Sequence, residues 1–386
     1  MKKFLLFLII IICSFLAILF VNKKPNEDKV SFATWGSQSE IKIIKELIND
    51  FETTTNIKVE LIHIPQNYFQ KIHLLFASNL EPDVIFINNH YLKMYSDANL
   101  LEDLTQYINE NEYHKSAIDC LKSNNKIYAI PRDISSLVLY VNKKIVKEDN
   151  LKIKSLNELK EITNKYTNEK HFGLNYEELP LYWLYFLNAN GGGAISDDGK
   201  SIIINKKENI NALNLYADFI NKYHIAPTKA QIGSKTTAQM FINEELAFYL
   251  GGKWMMPKFK ETIKFKFKTI EFPSSEEKKL YVDASGWAIS KKSKNKDNAV
   301  KLIQFLSSKE ATEKFNNSGL ITPARITNQN NTFTQMLINT KPTPTNKNYG
   351  KINDILKEKG LSVLSGEKRA EEAFDTKTIR ELESLL

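Results

Sequence analysis

Six histidines, at positions 63, 73, 90, 114, 171 and 224, are scattered along the chain with no two at helical spacing, so they offer no zinc-ligating set. Neither a G-x-S-x-G elbow nor an H-E-x-x-H helix occurs. Gly193-Ala-Ile-Ser-Asp-Asp-Gly199-Lys200-Ser201 approximates a phosphate-cradling loop, but it places one residue too many between its glycines and no strand precedes it. Asp197-Asp198-Gly199 reads instead as a hairpin turn. With no nucleophile–base set in view, the chemistry on offer is recognition rather than catalysis. The four tryptophans are its most informative carriers. Trp35 closes a strand, Trp183 opens a helix, Trp254 follows Gly251-Gly252, and Trp287 sits in Ser-Gly-Trp. Each lies at an element end or beside a glycine, where binding residues gather. An indole suits the C–H face of a sugar while nearby amides and carboxylates take its hydroxyls.

The elements that would position these residues alternate. Val30–Trp35 is strand-like and ends in Gly36-Ser37-Gln38-Ser39. A helix follows with Ile41, Ile44, Leu47, Ile48 and Phe51 on one face and Ser39 available as its cap. Ile57, Val59 and Leu61 alternate as a second strand, Tyr68–Ala77 is helical, and Asp83–Asn88 is the near-continuous apolar run of a buried parallel strand. This is βαβαβ, the opening of a doubly wound sheet, where ligands sit beyond the carboxyl ends of the strands. Those ends are Trp35–Ser39, Pro65–Asn67 and Asn88–Tyr91. Further on, Arg132–Ser136 reads as a turn before a strand at Leu137–Val141, and helices are expected over Asn157–Tyr166, Leu181–Asn188, Ile210–Tyr223 and Thr236–Ile242. Strands are expected at Leu246–Leu250 and Asp283–Ser290, a helix from about Asp297 to Leu306, and polar loops at Thr327–Thr332 and Lys341–Lys347.

The 386 residues, at about 150 per domain, suggest two or three domains, and 42% hydrophobic with 25% charged residues is ordinary for a folded protein. The net charge of +8 raises nucleic acid or an anionic surface as partners. Only Arg132, Arg325, Arg369 and Arg380 are arginines, so 49 of the 53 cations are lysine, interleaved with glutamate. That is a poor match to nucleic-acid readers, which rely on arginine forks.

Met1-Lys2-Lys3 followed by the 18-residue apolar run Phe4–Val21 and then Lys23-Lys24 has the form of an export signal. The run is long enough to span a bilayer, and no small-x-small cleavage site follows it. A retained anchor, a cleaved signal and a lipoprotein lipidated at Cys13 stay open, although Cys13 follows Ile11-Ile12 rather than small residues. Without residues 1–24 the chain carries +4 and a single cysteine, Cys120, so no intramolecular disulfide can form.

Several short motifs follow one another in the order seen in extracellular solute-binding proteins of the family 1 type. They are Phe32-Ala-Thr-Trp-Gly36, Glu81-Pro-Asp-Val-Ile-Phe86, Leu100-Leu-Glu-Asp-Leu-Thr105, Ile130-Pro-Arg-Asp133 with Leu139-Tyr-Val-Asn-Lys143, and Asn190-Gly-Gly192 with Asp198-Gly-Lys200. Gly251-Gly-Lys-Trp-Met255, Gly286-Trp-Ala-Ile-Ser290 and Ile321-Thr-Pro-Ala-Arg325 complete the series. The chain resembles that family over residues 30–325. The resemblance implies a two-lobe α/β fold of the periplasmic-binding-protein kind, each lobe a doubly wound sheet flanked by helices, joined by crossing segments. By position, residues 1–27 are the signal or anchor, 28–133 with 285–325 form one lobe, and 134–284 with 326–386 form the other. It further implies a receptor of an ABC importer that captures a mono- or oligosaccharide by hinge closure and delivers it to membrane permease subunits. Such a receptor is expected to be monomeric, exported, without cofactor or metal, and without affinity for nucleic acid. In this frame Trp35, Trp183 and Trp254 would stack on the sugar, and Asn88, Asp133 and Asp283 would bond its hydroxyls. Arg325 would do the same or bind an anionic group, and Ser37, Gln38, His90 and Gly252 complete the set. Import of glycerol-phosphate-type polyols, or ligand sensing without transport, stay open beside this reading.

Overall fold

A computed structural model describes residues 29–274 and 278–386, so the expectations for segment 1–27 and for Cys13 lie outside the described residues. The first elements follow the predicted alternation: β1 (Lys29–Thr34), helix Gln38–Thr55, β2 (Lys58–His63), helix Tyr68–Ala77 and β3 (Val84–Asn88). β1 lies between β2 and β3 and is parallel to both. Helix Gln38–Thr55 buries the expected face of Ile41, Ile44, Leu47, Ile48 and Phe51. Its cap is Ser37 rather than Ser39: the Ser37 hydroxyl accepts from the Glu40 N–H, and Glu40 returns a bond to the Ser37 N–H. Ser37 stands three places ahead of Glu40, the spacing this reciprocal box requires, whereas Ser39 has Lys42 at that position.

After the small hairpin of β4 (Lys122–Ser123) and β5 (Lys126–Ile127) comes β6 (Ile130–Ser135), then β7 (Val138–Asn142). The turn expected at Arg132–Ser136 is therefore strand as far as Ser135. Its polar residues are tolerated there because they face polar partners on β10 (Leu280–Ile289): Asp133 pairs with Ser285, and Ser135 with Asp283. β10 is the organising strand. It runs antiparallel to β3 and β6 and parallel to β11 (Thr340–Pro342), closing a six-stranded sheet. Part of the segment expected to be a polar loop is thus an edge strand, the one place in a sheet where Pro342 costs no ladder bond.

The second sheet is β8 (Phe248–Gly251), β7 and β9 (Phe267–Glu271), antiparallel throughout rather than doubly wound, with β7 in the middle. Helices Pro180–Ala189, Lys207–Asn221 and Tyr349–Leu364 pack with it into one hydrophobic core. A separate core, including Phe32, Ile87, Trp287 and Phe315, belongs to the larger sheet. The chain passes from the core of the larger sheet, the first, to that of the three-stranded sheet, the second, between Ile134 and Leu137, and β10 passes back between Leu280 and Val282. The folding pattern is thus two α/β lobes joined by adjacent antiparallel strands.

Candidate functional site

A cleft of about 650 Å³ lies between the two cores. The loop after β1 supplies Trp35 and Ser37, and the end of β3 and the helix that follows it supply Asn88 and His90. The crossing strands and the link after β6 supply Arg132–Leu137 together with Tyr281, Asp283, Ala284 and Ser285. The second core contributes Leu181, Leu184, Tyr185, Asn188, Lys253 and Trp254. Two indoles are offered to it, one from each side: Trp35 is 47% exposed and Trp254 39%. Trp35 is held edge-on against Phe86, with ring centroids 5.8 Å apart.

The floor carries two charged clusters. In the first, Arg132 Nε donates to Asp133 Oδ2 at 2.7 Å and Nη2 to Glu40 Oε1 at 2.8 Å, while the Ser285 hydroxyl donates to Asp133 Oδ1 at 2.8 Å. The guanidinium lies 5.5 Å from the ring centres of both Phe86 and Trp287 and 5.2 Å from that of Phe315. Arginine suits this place because its planar fork serves two carboxylates while its faces rest on rings. Burial pushes both carboxyls up, but the Arg132 charge and the Ser37 N–H bring Glu40 below its ordinary value. At Asp133 burial prevails and the carboxyl stays raised. Glu40, legible only as a helix residue, thereby links the cap at Ser37 to the cleft floor.

The second cluster centres on Asp283, which accepts from Asn89 Nδ2 at 3.0 Å and lies 2.7 Å from His90 Nε2. The His90 ring stands 4.7 Å from that of Tyr349, on the second core. Burial opposes charge on both partners, but each is held ionised by the other: Asp283 falls to about 2 and His90 rises above its usual value. The raised imidazole adds stability that is fully present below its unfolded value of about 6.5 and is lost as pH rises through the folded value. The depressed carboxyl acts at the other end, losing its contribution only as pH falls from its ordinary range toward about 2. Thermal unfolding of the native protein and of His90→Gln should therefore differ most below about pH 6.5, with the gap closing as pH rises through the raised folded value. A gap that is constant with pH would show the contact to be uncharged.

Other sequence-predicted residues are placed elsewhere. Trp183 is fully buried in the second core, its indole against Gly360, and does not reach the cleft. Helix Pro180–Ala189 turns Leu181, Leu184, Tyr185 and Asn188 there instead. Arg325 is spent on the first lobe: it pairs with Glu112, donates to the Ser307 carbonyl at 2.9 and 3.1 Å, and lies over the Tyr113 ring. Gln38 lies on the outer surface of its helix beside Lys42 and Lys45. Gly252 acts through its neighbour, since a Cβ there would fall 1.9 Å from the Trp254 ring, so glycine is what allows that indole its position. Ser37, Asn88, His90, Asp133, Asp283, Trp35 and Trp254 are brought together around one cavity. The sequence reading missed Arg132, Glu40, Ser285, Lys253 and Tyr349. Arg132 had a signal, being one of four arginines in a lysine-rich chain and adjoining Asp133.

The sequence profile of the bacterial extracellular solute-binding proteins matches residues 46–336. A maltooligosaccharide ABC transporter solute-binding lipoprotein of Streptococcus pneumoniae is 25% identical over 353 residues, which cover 86% of this chain and 83% of that one. The match to a maltotriose-binding protein of Pyrococcus abyssi, 24% identical over 185 residues, spans 47% of this chain and 39% of that protein. Among solved structures, an ABC substrate-binding protein of Listeria monocytogenes in complex with cycloalternan superposes with a TM-score of 0.82 at 22% identity, covering 92% of this chain and 98% of that one. With three quarters of its length inside the family profile and both lobes in the same arrangement, the chain belongs to the bacterial extracellular solute-binding proteins.

Proposed function

We propose that the protein is the substrate receptor of an ABC importer, capturing a neutral oligosaccharide in the interlobe cleft by hinge closure and delivering it to membrane permease subunits. It acts as an exported monomer at the outer face of the membrane, binding without catalysis and held there by its N-terminal segment. The lobes are taken as residues 28–133 with 285–325, and 134–284 with 326–386.

One observation carries this reading: two exposed indoles, Trp35 and Trp254, reach one cavity from opposite lobes. Such a pair can sandwich the apolar faces of sugar rings while Asn88, Asp133 and Asp283 meet hydroxyls. A maltooligosaccharide transporter's binding lipoprotein in Streptococcus pneumoniae and a maltodextrin-binding protein in Bacillus subtilis support the same ligand class. The anionic-polyol alternative loses the arginine that suggested it, because Arg325 is engaged with Glu112 away from the cleft.

Calorimetric titration with maltose, maltotriose, a cyclic glucan and glycerol 3-phosphate tests the reading. Binding of at least one oligosaccharide, with none of the phosphate, is the expected result. Trp35→Ala or Trp254→Ala should each weaken that binding by about 2 kcal/mol, roughly 30-fold, with thermal stability unchanged. Full affinity in both variants would remove the indoles from the site.

A further inference from the structure

Among the described residues lining the cleft, one charged side chain has no opposite charge against it. Glu40 and Asp133 share Arg132, and Asp283 faces His90, but Lys253 forms no ion pair with a described carboxylate. Burial holds its ammonium down at about 8, and the nearby charge acting on it is another cation, Lys260. A largely buried ammonium is costly unless its donors are used. One is used: Nζ donates to Asn316 Oδ1 at 3.2 Å.

That single bond joins the two lobes. Lys253 follows β8 and Gly252 and precedes Phe259, all built on the second core. Asn316 is in helix Lys309–Ser318, next to Phe315 of the first core. The same two segments also approach through Pro257 and Gly319, where a Cβ on Gly319 would stand 3.7 Å from the proline ring. Both segments reach the cleft, through Lys253 and Trp254 on one side and Leu320 and Ile321 on the other.

We propose that Lys253 is a closure latch, a positioning residue that couples ligand capture to lobe closure. An ammonium has three donors. With one on Asn316 of the opposite lobe, the others are available to oxygens of a ligand seated in the cleft. The ligand-bound ammonium and the interlobe bond then support each other, and a ligand meeting Lys253 binds the closed form better than the open one, which is what drives closure. This rests on the reading of the cleft as an oligosaccharide site.

Lys253→Met, Asn316→Ala and the double variant, each checked for unchanged thermal unfolding, test the latch in two arms. Without ligand, small-angle scattering should show a larger radius of gyration in both single variants than in the native protein, and no further increase in the double variant. With maltotriose, stopped-flow dissociation should be roughly tenfold faster in each single variant, because a hydrogen bond to a charged group is lost. Asn316→Asp, which supplies the missing carboxylate, should slow release below the native rate. Unchanged radii in both single variants overturn the latch whatever the sugar result. Native-like release from Lys253→Met, with maltotriose bound normally, overturns it equally. If instead the native protein binds no sugar while the variants still expand, the oligosaccharide reading fails and the latch stands.

Discussion

Arg132→Met should destabilise the protein by about 3–5 kcal/mol and abolish ligand capture at neutral pH, because one cation is removed from between two buried carboxylates. The methionine would keep the contacts with Phe86, Trp287 and Phe315, so packing alone would be nearly preserved. What is lost is the charge, leaving Glu40 and Asp133 partly desolvated with only Ser37 and Ser285 as donors. The consequence has a pH signature. Without Arg132 both carboxyls are pushed up by burial, and their protonation relieves the penalty, so the stability gap between variant and native protein should narrow as pH falls from 7 toward 4. Urea unfolding at several pH values measures it. A gap that is small at pH 7, or that widens on acidification, would mean the guanidinium is not what holds these carboxylates.

Trp183→Ala should cost about 3–5 kcal/mol for the opposite reason: it removes a large, fully buried ring and leaves a cavity in the second core. Gly360 cannot be enlarged to fill that space in the native protein, since a Cβ there already comes within 3.0 Å of the indole. The ring touches nothing in the cleft, so the fraction of Trp183→Ala that remains folded should bind oligosaccharide with native affinity. Calorimetry at low temperature, combined with urea unfolding, separates the two effects. A stable variant with weakened binding would put Trp183 back in the site. Together with the Trp35 and Trp254 variants this divides the tryptophans by role, two for the ligand and two, Trp183 and the fully buried Trp287, for the cores.

That division marks where the sequence stops being legible. The opening βαβαβ was readable because its helices have one apolar face and its strands are short apolar runs, and the ends of β1 and β3, though not that of β2 at Pro65–Asn67, do line the cleft. Helix Pro180–Ala189 gives no such guide. Leu181-Tyr-Trp-Leu-Tyr-Phe-Leu is apolar all round, so its phase is fixed only by what packs on it, and Leu184 rather than Trp183 faces the cleft. Arg325 was equally unreadable, because its partner Glu112 is 213 residues away. The Arg132–Glu40 pair spans 92 residues and joins a helix cap to a crossing strand, a contact that no local pattern encodes. β9 escaped notice because Phe267-Lys-Thr-Ile-Glu mixes charge into a half-buried edge and lacks clean alternation. Asp133 and Asp283 were placed by the family resemblance, Asp133 within what read as a turn, and strand register sets Asp133 opposite Ser285 and Asp283 opposite Ser135 across β6 and β10.

The register of β10 also governs what the protein can tolerate. Side chains along a strand alternate, so Asp283 and Ser285 share one face while Val282, Ala284 and Gly286 take the other. At Gly286 that other face leaves no room, since a Cβ would lie 2.2 Å from the Ile130 carbonyl. Inserting or deleting one residue between 280 and 286 would turn the cleft-facing carboxylate and hydroxyl into the sheet's interior and disturb three neighbouring strands at once. The turn at Ser196–Gly199, at the surface and bounded by a single bridge between Ile195 and Ile202, lies outside these ladders. It meets β10 through the Asp197 side chain, which accepts from the Tyr281 hydroxyl, so added length fits there if Asp197 is kept. Length variation among descendants of this chain is therefore channelled into such turns, and an affinity tag or reporter domain belongs there rather than anywhere along β10.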